Sequence, residues 1–213
     1  MYLFLDVETT GLPETPSYGK YYSYELIEKY QEAQIVQFSM IISNEDYEII
    51  NEYDAIILTK KNITNSHIHG ITNEINREKG ITFDTAMNVF NDYLPKITKI
   101  YAHNSNFDIN VIKSQLYNSK ASIEIEKINN ILMILGEMEK NNKIVCTMKL
   151  TKEIVKALDK KGRIKDPKLS ELYLYVMKEE LINAHNSLYD CKALHKIMST
   201  LYMQKKILKI MKG

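Results

Sequence analysis

The residues best suited to hydrolytic chemistry are Asp6, Glu8, Asp108, His185 and Asp190. The first two lie in YLFLDVETTGLP, residues 2–13. Leu3–Val7 is short, apolar and β-favouring and runs into Gly11 and Pro13, the composition of a buried strand followed by a turn. Strand alternation puts Leu3, Leu5 and Val7 on one face and Phe4, Asp6 and Glu8 on the other. Two carboxylates that close, and partly dehydrated, do not both stay ionised unless a cation joins them. Ligation by oxygen alone suits Mg²⁺ or Mn²⁺ rather than zinc. The plainer alternative is a sheet-edge strand carrying two solvated acids.

The other three residues sit in two similar stretches. Tyr101–Asp108, YAHNSNFD, ends a strand, turns, and brings Asp108 to the start of a helix. Helix capping by Asn106 or Asp108 is the competing explanation. Asn183–Asp190, NAHNSLYD, places His185 five residues before Asp190. Here Ser187 with Asp190 also matches a capping box, which would leave His185 an ordinary loop residue. As a set, the acids and the histidine divide labour as phosphodiester hydrolysis by paired metals requires. Carboxylates hold cations, and an imidazole that titrates near neutrality takes a proton from the attacking water.

The elements that must position these groups follow from pattern. Strands are expected at Leu3–Val7, Ile35–Ile42, Tyr47–Ile57, Lys99–Ala102 and Ile144–Cys146. Residues 13–33 are Tyr-rich and polar and read as a surface insertion, with a short helix over Tyr24–Tyr30. Thr64–Thr72 reads as a loop. Helices are expected from Thr82 or Asp84 to Leu94, over Phe107–Tyr117, Ile123–Met138, Thr151–Leu158, Leu169–Met177, and from Ser187 to about Met203. The last carries Leu188, Cys191, Leu194, Met198 and Leu201 as an apolar stripe. Strands first, then mixed strands and helices, with no repeat and no long linker, predict one α/β domain over residues 1–213.

Bulk properties narrow the class. The 213 residues suffice for one domain with a real core. Hydrophobic residues at 45% and charged residues at 26% are ordinary for a globular protein, and no apolar run approaches a membrane span. No secretory signal is evident, so an intracellular, cytoplasmic protein is expected. Cys146 and Cys191 are distant, without a CxxC, and read as reduced thiols. A net charge of +1 leaves nucleic acid open as a partner.

LDVETTGL, AHNSNFD and HNSLYD, in this order, resemble the three motifs of the DnaQ-like exonucleases, and H-x₄-D in the third resembles the DEDDh group. EAQIVQF at Glu32–Phe38 and HGIT at His69–Thr72 are similar to lesser signatures of the same family. The resemblance spans Tyr2 to about Met203. It implies a ribonuclease H-like fold, a five-stranded mixed sheet flanked by helices. It implies a metal-dependent 3′→5′ exonuclease that acts on single-stranded DNA or 3′ termini in proofreading or repair and releases nucleoside 5′-monophosphates. Two Mg²⁺ or Mn²⁺ ions are implied. Asp6, Glu8 and Asp190 would hold the ion beside the attacking water, Asp6 with Asp108 the second, and His185 would be the general base. Thr9, Thr10, Gly11 and Leu12 match the turn that meets the terminal nucleotide, Asn104 and Phe107 match positions near its sugar, and His69 lies in a loop bordering the cleft. A polymerase or repair partner is also implied. The alternatives are an RNA-trimming exoribonuclease, which would share the catalytic residues, and an inactive nucleic-acid-binding accessory module. The resemblance does not cover residues 13–33 or 119–168.

Other features read more plainly. His67 is assigned to a solvated loop and His195 to a structural or exposed position on the last helix. Lys156–Lys168, KALDKKGRIKDPK, is either a solvated loop or a grip on a phosphate backbone. The basic tail, about 204–213, extends the last helix, binds nucleic acid or docks on a partner.

Overall fold

A computed structural model describes residues 1–120 and 122–211. Five strands form one mixed sheet in the order β3-β2-β1-β4-β5: β1 (Tyr2–Thr9), β2 (Ile35–Ser43), β3 (Ile49–Ile56), β4 (Lys99–Ala102) and β5 (Ile144–Cys146). β1 runs antiparallel to β2, and β2 to β3. β4 and β5 are parallel to β1. This is the five-stranded α/β architecture expected from the sequence. The helices are α1 (Ser66–His69), α2 (Asn73–Lys79), α3 (Phe83–Tyr93), α4 (Ser105–Asn118), α5 (Ile125–Lys140), α6 (Thr147–Val155), α7 (Leu169–Met177) and α8 (Ser187–Met211). Among the described residues no helix is long and apolar enough to cross a membrane.

The alternation of β1 decides what each sheet face carries. Leu3, Leu5 and Val7 join Phe38, Met40 and Ile42 of β2 in the main core, which α3, α4 and α5 cover with Phe90, Ile112 and Ile131. Each such side chain contributes roughly 1.5–3 kcal/mol by leaving water. On the opposite face, Phe4 and Ile41 pack with Tyr47 and Tyr101 under Cys191 and Leu194 of α8. The stripe expected on α8 is the buried one, with Leu188 and Met198 packed beside it. Along β1 this second face turns from apolar to polar. Phe4 pairs with Ile41, then Asp6 with Ser39, then Glu8 with Gln37. The polar end is where α8 begins.

Several boundaries differ from the sequence reading. The helix expected over 24–30 is only a 3-10 turn, Ile27–Tyr30, in which Tyr30 alone is buried and its hydroxyl donates to the Tyr22 carbonyl (2.6 Å). One apolar anchor does not make an amphipathic stripe. α1 occupies part of the expected 64–72 loop, and α2 lies just beyond it. The polar run NEINREK of α2 gives no periodic signal. A local cap and a tertiary hydrogen bond hold it: Thr72 caps it by accepting from the Ile75 N–H, and buried Asn76 donates to the Ile57 carbonyl (2.8 Å). α6 starts at Thr147, directly after β5, and stops at Val155, where Lys156 takes a left-handed conformation (φ 51°). α8 continues through the expected basic tail to Met211, whereas Lys212 and Gly213 lie outside the described residues. Both cysteines are free thiols.

Candidate active site

The sequence of β1 places Asp6 and Glu8 on the face that meets the start of α8. α8 is held there by Ser187. Its hydroxyl donates to the Asp6 carbonyl (2.6 Å), and its N–H donates to Gln37 Oε1 (3.2 Å). Gln37, only 2% exposed, also donates through Nε2 to Asp54 Oδ1 (2.8 Å), which accepts from Ser39 Oγ as well (2.6 Å). The sequence reading missed Gln37. Its signal is an amide inside IVQFSMII, a strand buried along its whole length, since buried amides are kept only where their hydrogen bonds are made.

The capping alternatives are not what the structure builds. α8 is capped by Asn186, whose Oδ1 accepts from the Tyr189 N–H (3.3 Å), not by Ser187. Asp190 Oδ2 instead accepts from the His185 backbone N–H (3.2 Å). That bond ties the loop carrying His185 to the helix carrying Asp190. His185 and Asn183 are both left-handed there (φ 67° and 61°), a conformation that Asn and His tolerate better than most residues. α4 follows Asn104, also left-handed (φ 72°), which makes no side-chain cap. Asp108 reaches from α4 onto β1, where its Oδ1 accepts from the Val7 N–H (3.3 Å) between the two acids. The ladder between β1 and β4 ends at Phe4–Tyr101, so nothing in β4 competes for that group.

Glu8, His185 and Asp190 each offer a ligand atom, and these atoms lie within 4.8 Å of one another. Asp6 and Asp108 join them through charge. Burial, then Asp108, Asp190 and Glu8, hold the Asp6 carboxyl well above its ordinary pKa. Asp108 is raised in the same way, chiefly by burial and against the pull of the Val7 N–H. Burial and Asp190 raise Glu8 to about 7, and burial raises Asp190 to about 7. None of the principal influences on these groups is a lysine or arginine. Two carboxylate oxygens, Asp108 Oδ2 and Asp190 Oδ1, are buried with no hydrogen-bond partner among the described residues. Crowded, dehydrated carboxylates with unused lone pairs fit a divalent cation, and a mainly oxygen donor set favours a hard one.

The expected substrate residues distribute around this cluster. Thr9 Oγ1 donates to the Gly11 carbonyl (2.7 Å), and Thr10 Oγ1 donates to the Glu32 carbonyl (2.7 Å), which locks the turn after β1. A Cβ on Gly11 would lie 3.0 Å from that same Glu32 carbonyl oxygen, so any side chain there would press on the Glu32 backbone. Leu12 projects from the turn, 76% exposed. Phe107 is half-buried against the main core. Asn104 Nδ2 faces the Tyr21 hydroxyl at 3.4 Å. His69 is buried behind the turn. Its Nδ1 accepts from the Ile71 N–H (3.1 Å) and its Nε2 meets Asn65 Oδ1 (3.3 Å), while Asn65 donates to the Thr9 carbonyl (2.9 Å). His69 thus reaches the turn through Asn65. His67 is exposed, and His195 is a structural residue whose Nε2 meets the Tyr47 carbonyl (2.8 Å). Nothing in the sequence marks His103 for a role of its own. Its Nε2 donates to the Pro167 carbonyl (2.9 Å) and its Nδ1 lies 3.1 Å from Thr147 Oγ1, so it staples 147–167 to the end of β4.

Against this geometry, a model of the exonuclease family (RNase_T) matches residues 3–198. No curated protein gives a significant sequence match. Among solved structures, Escherichia coli exonuclease I in complex with a dT13 oligonucleotide superposes with a TM-score of 0.67 at 16% identity, over 97% of this chain and 42% of that one. The exonuclease I of Methylocaldum szegediense gives 0.66 at 13% identity, over 96% and 41%. Exonuclease X in complex with 5′ overhanging duplex DNA gives 0.52 at 19% identity, over 95% and 92%. These are likenesses of fold, and the chain spans about two-fifths of the length of the exonuclease I structures.

Proposed function

Because the chain belongs to the exonuclease family, we propose that it hydrolyses phosphodiester bonds at the 3′ ends of DNA, releasing nucleoside 5′-monophosphates in proofreading or repair. The observation that carries this reading is the pair of orphaned, buried carboxylate oxygens on Asp108 and Asp190, gathered with Asp6, Glu8 and His185 at one end of the sheet. Structurally similar exonucleases have been solved with a dT13 oligonucleotide and with 5′ overhanging duplex DNA, which supports DNA as the substrate.

Asp6, Glu8, Asp108 and Asp190 would hold two Mg²⁺ or Mn²⁺ ions. Bound there, such cations would supply Lewis-acid stabilisation of the charge that develops during phosphodiester hydrolysis. The protein's own groups do the rest. The His185 imidazole, at the exposed rim, takes the proton of the attacking water. The Asp190–His185 backbone bond keeps that imidazole beside the acids. The Thr9–Leu12 turn and the Asn104–Phe107 corner receive the terminal nucleotide, with His69 bracing the turn from behind. The close backbone approach at Gly11 leaves Leu12 free to pack on the last base.

Digestion of 5′-labelled DNA and RNA oligonucleotides with Mg²⁺ or Mn²⁺ tests this reading. The expected result is a ladder shortening from the 3′ end of DNA and abolished by chelation. A ladder on RNA alone moves the activity to RNA trimming. A folded protein that binds DNA and cleaves neither is an accessory module. Gln37 provides a second check. Gln37→Leu leaves the Ser187 N–H buried without an acceptor, so the start of α8 loosens and Asp190 moves. Groups that orient ligands are typically worth 10–100-fold in metal affinity. Calorimetric Mn²⁺ affinity is therefore expected to fall about tenfold or more, and unchanged affinity would show that α8 is placed without Gln37.

A further inference from the structure

The stretch 13–33 and the second half of 119–168, residues 147–168, both outside the family pattern, meet in space beside the acids. Tyr18 of the first donates its hydroxyl to Asp166 Oδ2 of the second (3.1 Å), yet its ring is 84% exposed. Three residues on, the Tyr21 hydroxyl reaches Asn104. The second segment is built to be rigid. Asp159 and Arg163 pair across a hairpin whose strands touch at Leu158 and Ile164. Its base is stapled to β4 by His103 through Pro167, one residue from Asn104.

This ordered wall carries far more positive charge than its own acids neutralise. Lys152 pairs with Asp166, Arg163 with Asp159, and Lys165 with Glu171. Lys156, Lys160 and Lys161 are exposed and make no ion pair among the described residues, while exposed Lys149 and Lys168 feel Asp166 and Glu171 only at longer range and Glu153 is the one further acid of the segment. Between them, Leu150, Ile154 and Leu158 are each more than half exposed, an apolar strip left uncovered among the described residues. Unpaired cations beside an apolar strip and one bare aromatic ring form a surface complementary to a strand with a phosphate edge and a base edge. Neither a neutral peptide nor a free nucleotide would use the whole length.

We propose that Tyr18 and the α6–hairpin face form a tract for single-stranded nucleic acid leading into the active site, with bases on the Tyr18 ring and Leu150–Leu158 and phosphates on the lysines. The inference rests on the reading that the substrate is a nucleic-acid strand, and it adds where the strand lies upstream of the scissile bond. Stacking on an aromatic side chain combined with a basic groove is the general means of holding single strands without reading sequence.

The test is fluorescence anisotropy of the full chain with 5′-labelled dT4 and dT16 in chelator, over a range of salt concentrations. For single strands the slope of log affinity against log salt shrinks by about 0.7 for each phosphate that is no longer neutralised. The triple variant Lys156→Ala, Lys160→Ala, Lys161→Ala is expected to reduce the dT16 slope by about two and to lose affinity increasingly from dT4 to dT16. Tyr18→Ala should weaken dT16 about tenfold, and Tyr18→Phe, which keeps the ring and drops the bond to Asp166, should restore most of it. An unchanged slope in the triple variant, with a parent that binds dT16 in chelator and shortens it once Mn²⁺ is supplied, overturns the tract and leaves the exonuclease reading intact. A parent that neither binds dT16 in chelator nor shortens it with Mn²⁺ overturns both.

Discussion

Asp6→Asn is expected to lower exonuclease turnover at least about a thousandfold, roughly 4 kcal/mol of barrier, while making the metal-free protein more stable. The two effects have one cause. The Asp6 carboxyl is surrounded by Asp108, Asp190 and Glu8 and largely removed from water, so at neutral pH its charge opposes folding. Its backbone contributes separately, since the Asp6 carbonyl holds the Ser187 hydroxyl, and an asparagine keeps that bond. The amide therefore removes a charge and a cation ligand with little change in shape. A thermal melt in chelator reads the stability and a 3′-end digestion reads the turnover. A variant that is inactive and less stable would mean that Asp6 is structural. A variant that digests DNA as the parent does would remove Asp6 from the chemistry.

The pH dependence of metal-free stability has the second-largest expected effect. Glu8 and Asp190 sit near 7 in the fold, above the ordinary carboxylate values of 4.5 and 3.8. Between about pH 4 and pH 7 the folded protein therefore holds protons that the unfolded chain has released. Under that condition stability falls as pH rises. Coupling within the cluster makes the total on the order of a few kcal/mol rather than a sum over sites. For a chain of this length that corresponds to a fall of roughly 5–15 °C in Tm between pH 5 and pH 8 in chelator. Millimolar Mn²⁺ at pH 8 should restore most of it, because a ligand of the folded state stabilises by mass action. A Tm flat from pH 5 to 8 and indifferent to Mn²⁺ would mean that the acids are neither crowded nor cation-binding. The same titration bears on kinetics. Below cation saturation, activity is expected to rise through neutrality because the acids themselves lose protons in that range.

The strands were legible because strand alternation is local. Leu3, Leu5 and Val7 against Phe4, Asp6 and Glu8 is a period that any reading of residues 2–13 yields, and β4 and α7 lie where their apolar runs place them. Helix α2 was not legible, because one isoleucine in seven residues carries no period, the Thr72 cap gives a start without a stripe to follow it, and the Asn76 anchor is a tertiary hydrogen bond. The same division runs through the candidate site. Asp6, Glu8, Asp108, His185 and Asp190 stand out as a set, and the resemblance of LDVETTGL, AHNSNFD and HNSLYD to the family motifs is what implies their roles, since each stretch taken alone also suits capping or a solvated acid.

What residue type cannot convey is which of two local roles a side chain takes. Ser187 was equally suited to capping α8 or to leaving it, and Asp108 to capping α4 or to facing β1. Folding decides, because β1 and β2 present the Asp6 carbonyl, the Val7 N–H and the Gln37 amide where those side chains arrive, 101 to 181 residues away along the chain. A contact between groups so far apart in sequence has no local signature. It exists only once the sheet has brought its partners together, and with it come the burial and mutual repulsion that set these acids apart from ordinary ones.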